Sequence, residues 1–124
     1  MKIEVSNSEI VDKFTILKIK ELKINDSRKL KNIKKEIEYL KPTIEQIGIS
    51  EGSDEYLKLM SINYKLWTVE DEIRESEKLK KFDDTFISLA RTIYTLNDER
   101  SRIKKEININ TNSILVEEKN HDLS

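Results

Sequence analysis

Glycine and proline are almost absent from this chain, and their scarcity limits how often the backbone can turn. The 124 residues contain two glycines and one proline, at Gly48, Gly52 and Pro42. So few turn-forming residues favour a small number of long helices. The length suits one domain. We therefore predict a single all-α domain over residues 1–124.

Apolar residues recur at intervals of three and four in four segments, which is the spacing of helices that bury one face. The first helix is expected from about Ser8 to Ile24, the second between a cap at 25–27 and a loop at 48–53, the third from about Asp54 to Lys80, and the fourth from about Asp84 to Ile109. Several of the apolar stripes keep the heptad spacing of coiled coils. Short connections make consecutive helices antiparallel, so the predicted fold is an antiparallel four-helix bundle.

Three shorter features refine this prediction. Pro42 lacks a backbone N–H and crowds the preceding turn, so a kink or a break is expected near Tyr39 to Pro42. Residues 1–5 alternate apolar and polar side chains, and the polar tail at 110–124 contains the apolar run Ile114–Val116. The tail is expected to be partly extended, and the two termini to form either a short ribbon or a docking arm.

The composition argues against several kinds of active site. Without cysteine the chain has no disulfide, thiol nucleophile or zinc–thiolate site, and its one histidine, His121, lies in the polar tail. Two glycines in one loop cannot form a phosphate-binding loop. A carboxylate site for Mg²⁺ at Glu70 and Glu77 is a weaker reading than helix-neighbour ion pairs of these residues with Arg74. We therefore expect no cofactor and no metal.

The same composition bears on where the protein works. No apolar run approaches the length of a membrane span, and no signal peptide opens the chain. We therefore expect a cytoplasmic protein with no membrane partner.

The charged residues are unevenly distributed along the chain. Residues 13–41 contain ten Lys or Arg against four Asp or Glu, whereas residues 51–77 contain three against eight. We expect no nucleic-acid partner, because the acidic segment cancels the basic excess that such proteins usually show. The two segments are expected to face each other, either within one chain or across a homodimer.

Arg100 interrupts the apolar stripe of the fourth helix. A guanidinium group that loses its water needs a partner, because burial of an unpaired charge costs several kcal/mol or more. One interpretation is a buried network in which Glu21 of the first helix or Glu70 of the third holds Arg100. Such a network fixes the register of packed helices.

The other interpretation is a polar pocket between helices that binds a small anion. Arg91, Arg100 and Lys104 would supply the positive charge, while Glu21 or Glu70 would act as hydrogen-bond acceptor or general base. The candidate ligand-binding residues are Arg91, Asn97, Arg100, Lys104, Glu21 and Glu70.

The first helix is apolar around more than half of its circumference. A helix of this kind is either central to its fold or part of an interface. Large apolar side chains that would anchor an interface are Trp67, Phe14, Ile16 and Ile19. The width of this apolar surface, together with the complementary charges, favours a homodimer.

Three parts of the sequence carry a resemblance to a known family. They are the opening Val5-Ser6-x-x-Glu9-Ile10-Val11-Asp12-Lys13, the block from Asn63 to Glu77, and the block from Phe86 to Asn108. In these blocks the chain resembles a family of small bacterial and phage proteins, a domain of unknown function of about 120 residues. The resemblance implies functional or structural importance for Asp12, Lys13, Trp67, Arg74, Asn97 and Arg100.

Two functions follow as hypotheses. The first is a non-enzymatic oligomeric assembly or adaptor module that has a protein partner or a second copy of itself. The alternative is a small enzyme or binder of an anionic metabolite, such as a sugar phosphate, a nucleotide or a carboxylate, that uses the pocket between helices.

Overall fold

A computed structural model describes residues 1–118 and confirms an all-α fold. Four helices follow one another along the chain: α1 (Asn7–Lys23), α2 (Ser27–Ile47), α3 (Asp54–Lys78) and α4 (Asp84–Asn110). Their bounds lie within one or two residues of those predicted. None of the four combines the length and the apolar character that a helix needs to cross a membrane.

Each helix begins at a capping side chain that accepts a hydrogen bond from the backbone three residues later. The caps and their donors are Ser6 with Glu9, Asp26 with Lys29, Ser53 with Tyr56 and Asp83 with Phe86. Such caps satisfy amide groups that have no partner inside the helix. The capping residues therefore explain why the helix starts could be read from the sequence.

Helix α1 is the centre of the fold. It packs against α2, α3 and α4; α3 also packs against α4, and the backbone of α2 approaches only α1. This position accounts for the wide apolar circumference of α1. Phe14 and Ile19 are buried within the chain, whereas Ile16 and Trp67 are half-buried.

The apolar core draws on all four helices. Phe14 of α1 meets Tyr56 of α3 with ring centroids 6.3 Å apart, and Ile49 of the α2–α3 loop also belongs to the core. Burial, reinforced by the nearby charge of Glu51, raises the pKa of Tyr56 to about 12. The core and the side chains packed against it end at Val69 on α3 and at Ile93 on α4.

The rest of α3 and α4 projects beyond this core. We call residues 70–92, the end of α3, the connecting turn and the start of α4, the projecting hairpin. At 1.5 Å per residue its helical arms extend about 13 Å past the core. Every residue from 67 to 95 is at least partly exposed to solvent. The two arms therefore leave apolar side chains facing water.

The projecting hairpin also differs from the core in its charges. The expected helix-neighbour ion pairs of Arg74 with Glu70 and Glu77 are not present, and no charged side chain of residues 70–92 is ion-paired with another described residue. Exposed pairs of this kind gain too little to hold two long side chains in one geometry.

The basic segment 13–41 and the acidic segment 51–77 scarcely meet within the chain. Among the described residues, one ion pair joins them, between Lys18 Nζ and a Glu51 oxygen at 3.8 Å. Because α2 packs on α1 and lies away from α3, most of the complementary charge is not matched inside one copy.

Helix α2 continues past Pro42, so of the kink or break expected there a break does not occur. Pro42 is exposed, while Ile37 and Ile44 on either side of it are buried against the core. Burial of this stripe holds the helix together although one backbone hydrogen bond is missing.

The expected ribbon between the termini is also not present, since residues 1–118 contain no strand. The tail instead contacts α1 through side chains: Ser113 Oγ accepts a hydrogen bond from the Asn7 N–H at 2.9 Å. Ile114, Leu115 and Val116 remain exposed. The side chains of Ser113 and Glu117 accept hydrogen bonds from residues 7 and 6, which attaches the tail to α1 without a backbone ladder.

Replacement of Gly48 by alanine is expected to lower the free energy of unfolding by roughly 1 kcal/mol. Gly48 ends α2 with φ of 86° and donates its N–H to the carbonyls of Glu45 and Ile44. No atom lies within 4 Å of an added Cβ, so the cost comes from the left-handed backbone alone. Gly52→Ala is the control, because Gly52 has open space and no positive φ. Urea denaturation should show no loss for Gly52→Ala; an equal loss in both variants would contradict the assignment.

Candidate functional site

A buried polar network lies where α1 meets α3 and α4. Its centre is Asp12 on α1, which is only 3% exposed. Asp12 Oδ1 accepts hydrogen bonds from Asn63 Nδ2 at 2.8 Å and from Arg100 Nε at 3.1 Å, and Oδ2 accepts one from Arg100 Nη2. The carboxylate is therefore held by an amide from α3 and a two-pronged guanidinium contact from α4.

Thr15 completes the network on the α1 side. Its Oγ1 donates to the Asp12 carbonyl at 2.7 Å and accepts from Asn63 Nδ2 at 2.9 Å. Both hydrogens of the Asn63 amide are thus used. Among the described residues, no buried side-chain nitrogen or oxygen lacks a hydrogen-bond partner. The network is closed, and it fixes the position of α1 against the α3–α4 pair.

The partner of Arg100 differs from the expected one. The sequence predicts Glu21 or Glu70 as its partner, but the structure shows Asp12 in that role. The hydrogen bond to Asp12 raises the pKa of Arg100, and burial opposes this effect; the charges of Asp12, Glu9 and Glu70 add to the increase. Glu70 therefore acts on Arg100 through its charge, while Asp12 supplies the contact.

A second polar cluster surrounds the start of α1. Asn108 on α4 accepts the backbone N–H of Ser8 at 2.8 Å, and the Asn7 side chain donates to Thr111 Oγ1 at 3.0 Å. Lys104 on α4 pairs with Glu9. These contacts attach the last two turns of α4 to the first turn of α1.

The tail closes over this second cluster. Glu117 accepts a hydrogen bond from the Ser6 hydroxyl and lies 3.6 Å from Lys104 Nζ. The hydrogen bond from Ser6 lowers the pKa of Glu117, burial opposes the shift, and the Lys104 charge lowers it further. The tail carboxylate thus occupies the helix end, where an external anion would otherwise find N–H groups and a positive charge.

In the two clusters, positive charges that the pocket hypothesis assigned to a ligand are paired with carboxylates of the protein itself. Arg100 and Lys104 lie one turn apart on α4, and each already contacts a carboxylate of α1. Asn97 on α4 and Glu21 on α1 are both half-buried. Arg91 is exposed on the projecting hairpin, about 13 Å from Arg100 along the helix. The structure therefore brings Arg100 and Lys104 together and leaves Arg91 apart.

A groove beside the network runs along α1 and faces α2. It has a volume of about 410 Å³, and its lining includes Glu9, Asp12, Lys13, Lys20 and Glu36. None of the six candidate ligand-binding residues lines it. A smaller cavity of about 150 Å³ under the tail includes Lys104 and Glu117. Within residues 1–118, no three side chains of the types that ligate metals lie close enough together to hold an ion.

Asp12 and Asn108 were not among the residues predicted from helix periodicity. A signal was available, because Ser8, Asp12 and Thr15 follow the four- and three-residue spacing of one helix face. The Asp12 side chain contacts Asn63 and Arg100, and the Thr15 side chain contacts Asn63. The backbone N–H of Ser8 donates to Asn108. No pattern in the fourth helix distinguished Asn108 from the exposed polar residues around it.

Comparison with known proteins adds a family assignment. Residues 1–124 match the model of a family described as a family of unknown function, DUF6165. Neither the curated proteins nor the solved structures gave a match. The match covers the helices that form both polar clusters as well as the projecting hairpin. The chain therefore belongs, along its whole length, to the DUF6165 family of unknown function.

Proposed function

We propose that this protein is a non-enzymatic assembly module that presents its projecting hairpin to a protein partner. The observation that carries this proposal is the hairpin itself, which extends past the core and leaves Leu79, Phe82 and Ile87 exposed. Contiguous apolar surface on a small protein usually marks an interaction site. The rest of the fold acts as a frame that holds the hairpin.

The state of the polar network supports a structural role for its residues. A general base must be able to reach a proton on a substrate. The Asp12 carboxylate is buried, and both of its oxygens already accept hydrogen bonds. Its negative charge also offsets the positive charge of Arg100 that would attract an anion. These features favour a register lock over a catalytic group.

The alternative is a binder or small enzyme for an anionic metabolite, and one observation favours it. Arg100 is 28% exposed at its side chain, and Asp12 uses two of the five guanidinium N–H donors. The remaining donors, with Lys104 one turn away, would contact a phosphate or carboxylate group in this alternative.

A thermal-shift screen decides between these functions. The probes are inorganic phosphate, citrate, ATP, glucose 6-phosphate and Mg²⁺, each at millimolar concentration. A ligand at a hundred times its Kd would stabilise the fold by about 2.7 kcal/mol, which corresponds to a rise of several degrees in melting temperature. We expect no rise with any probe.

The controls are Arg100→Met and Lys104→Met, tested with the same probes. A rise in melting temperature for the native protein that both variants lose would overturn the assembly proposal and establish the metabolite site. A rise that both variants retain would place a ligand elsewhere, and it would equally count against a purely structural module.

A further inference from the structure

The projecting hairpin exposes more apolar surface than its own two helices can cover. Leu79 and Phe82 at its end are 56% and 55% exposed, and Ile87 on α4 is 49% exposed. Phe82 and Phe86 meet edge to face with centroids 5.2 Å apart, so they form one aromatic cluster. Trp67 and Tyr94, just below the hairpin, add half-buried and exposed aromatic surface.

The charges of the hairpin change sign along its length. Along α3 and the turn after it, the end nearer the core contains Glu70, Asp71 and Glu72, and the far end contains Lys78, Lys80 and Lys81. Between them lie Arg74, Glu75 and Glu77. On α4 the order is reversed, since Asp83 and Asp84 lie at the far end and Arg91 nearer the core. No charged side chain of residues 70–92 is ion-paired with another described residue.

When the hairpin of a second copy lies antiparallel to the first, each charged end of one hairpin lies beside an end of opposite charge on the other. A two-fold axis near Glu75 would bring Lys78–Lys81 of one copy to the level of Glu70–Glu72 of the other. The same operation brings Asp84 of one copy to the level of Arg91 of the other. Phe82 then lies at the level of Trp67 and Tyr94, so the apolar and charged surfaces match in the same register.

We propose that the projecting hairpin binds the hairpin of a second copy, antiparallel and about a two-fold axis near Glu75. This inference rests on the proposed assembly function and specifies its partner. A two-fold contact is isologous, so every pairing occurs twice and the assembly closes as a dimer. The four helical arms form an intermolecular four-helix bundle, which covers the apolar side chains that one copy leaves in water.

The basic surface of α2 is the other candidate for the acidic part of the hairpin. Contact of α2 in one copy with α3 in the next would be head to tail, and unless the rotation closes into a ring it would extend into open chains. The basic end at Lys78–Lys81 would then face no acidic partner. Pairing of two hairpins gives both charged ends of each hairpin a partner of opposite charge, whereas contact with α2 gives such a partner only to the acidic end.

Cysteine cross-linking tests the register directly, because the native chain contains no cysteine. Single variants Glu75→Cys, Glu70→Cys and Lys81→Cys are treated with a short bis-maleimide. Glu75→Cys is expected to cross-link with itself. Glu70→Cys and Lys81→Cys are expected to cross-link to each other when the two variants are mixed. Each variant alone should cross-link poorly, because the same residue in the two copies lies about 16 Å apart along the helix. Lys31→Cys on the exposed surface of α2 is the control and should stay uncross-linked.

Charge exchange provides an independent measurement. Lys78→Glu with Lys81→Glu, and separately Glu70→Lys with Asp71→Lys, should each weaken self-association at least tenfold in sedimentation equilibrium. An equimolar mixture of the two double variants should restore a dimer. In the mixed dimer, each charged end of one variant faces an end of opposite charge on the other variant. All four positions are exposed, so circular dichroism melts should show that each variant is folded.

The outcomes separate this inference from the proposed function. A native mass of 14.7 kDa by light scattering at high micromolar concentration would overturn self-pairing, and so would equal cross-linking of Glu70→Cys alone and in the mixture. If the native protein is a dimer but Glu75→Cys does not cross-link, the proposed pairing of hairpins is wrong. The assembly function would then have to use another surface. Growth beyond a dimer that Lys31→Glu abolishes would assign the contact to α2. The metabolite screen tests the assembly function without reference to the dimer.

Discussion

Replacement of Arg100 by methionine is expected to lower the free energy of unfolding by about 3 kcal/mol, because it leaves a buried carboxylate without its counter-charge. Asp12 is buried, and two of its three side-chain hydrogen bonds come from Arg100. Methionine fills much of the same volume, so the loss reports charge and hydrogen bonding more than packing. Urea denaturation monitored by circular dichroism measures the change directly.

Two further variants make this result specific to the pair. Arg100→Met combined with Asp12→Asn removes the orphaned charge and keeps an isosteric side chain, so it should recover more than half of the loss. Arg28→Met removes an exposed arginine from the first turn of α2 and should change stability by less than about 0.5 kcal/mol. An Arg100→Met variant as stable as the native protein would show that Asp12 and Arg100 do not form a buried lock.

The sequence indicates that Arg100 needs a partner, but it does not identify which residue that partner is. A charged residue in a heptad stripe shows that its side chain faces other helices. Which residue it meets depends on how far the helices slide past one another, and α1 is placed so that Asp12 reaches Arg100. Glu21 lies nine residues further along α1, about 13 Å away. Helix periodicity therefore predicts which face of a helix is buried better than it predicts how far the helix is shifted along its axis.

The helix bounds were predictable because capping and periodicity act locally. Ser6, Asp26, Ser53 and Asp83 each accept the N–H three residues on, and their side-chain chemistry is visible in the sequence. Of the kink or break expected at Pro42, a break does not occur, because tertiary burial of α2 outweighs one missing hydrogen bond. The expected ribbon does not form, because the tail contacts the start of α1 mainly through side chains and not through a ladder of backbone hydrogen bonds.

The projecting hairpin could have been anticipated from helix lengths alone. Helix α1 has 17 residues, whereas α3 and α4 have 25 and 27. A shorter central helix cannot cover two longer neighbours along their whole length. What the lengths do not decide is which end of the hairpin remains uncovered. That choice follows from the contacts of Asp12 with Asn63 and of Ser8 with Asn108, which place α1 towards the end remote from the α3–α4 turn.

Replacement of Asn63 by aspartate is expected to destabilise the fold by roughly 3 kcal/mol at neutral pH, because it places a second carboxylate beside the first. Asn63 Nδ2 lies 2.8 Å from an Asp12 oxygen and donates to it. An aspartate has no donor there when ionised, and one Arg100 cannot neutralise two buried carboxylates. The pair is therefore expected to retain one proton, with an apparent pKa above that of either group in the unfolded chain.

The pH dependence of this variant identifies the mechanism. A carboxyl group whose pKa is raised by folding stabilises the folded state below its unfolded pKa, and that contribution is lost as the pH rises through the folded value. The difference in unfolding free energy between Asn63→Asp and the native protein should thus shrink as the pH falls from 7 towards 4. Asn63→Ala removes the same hydrogen bonds without a charge, so its difference from the native protein should stay nearly constant over this range. If the two variants responded alike to pH, Asn63 would not face a carboxylate, and the network would lose its role as the lock between α1 and the α3–α4 pair.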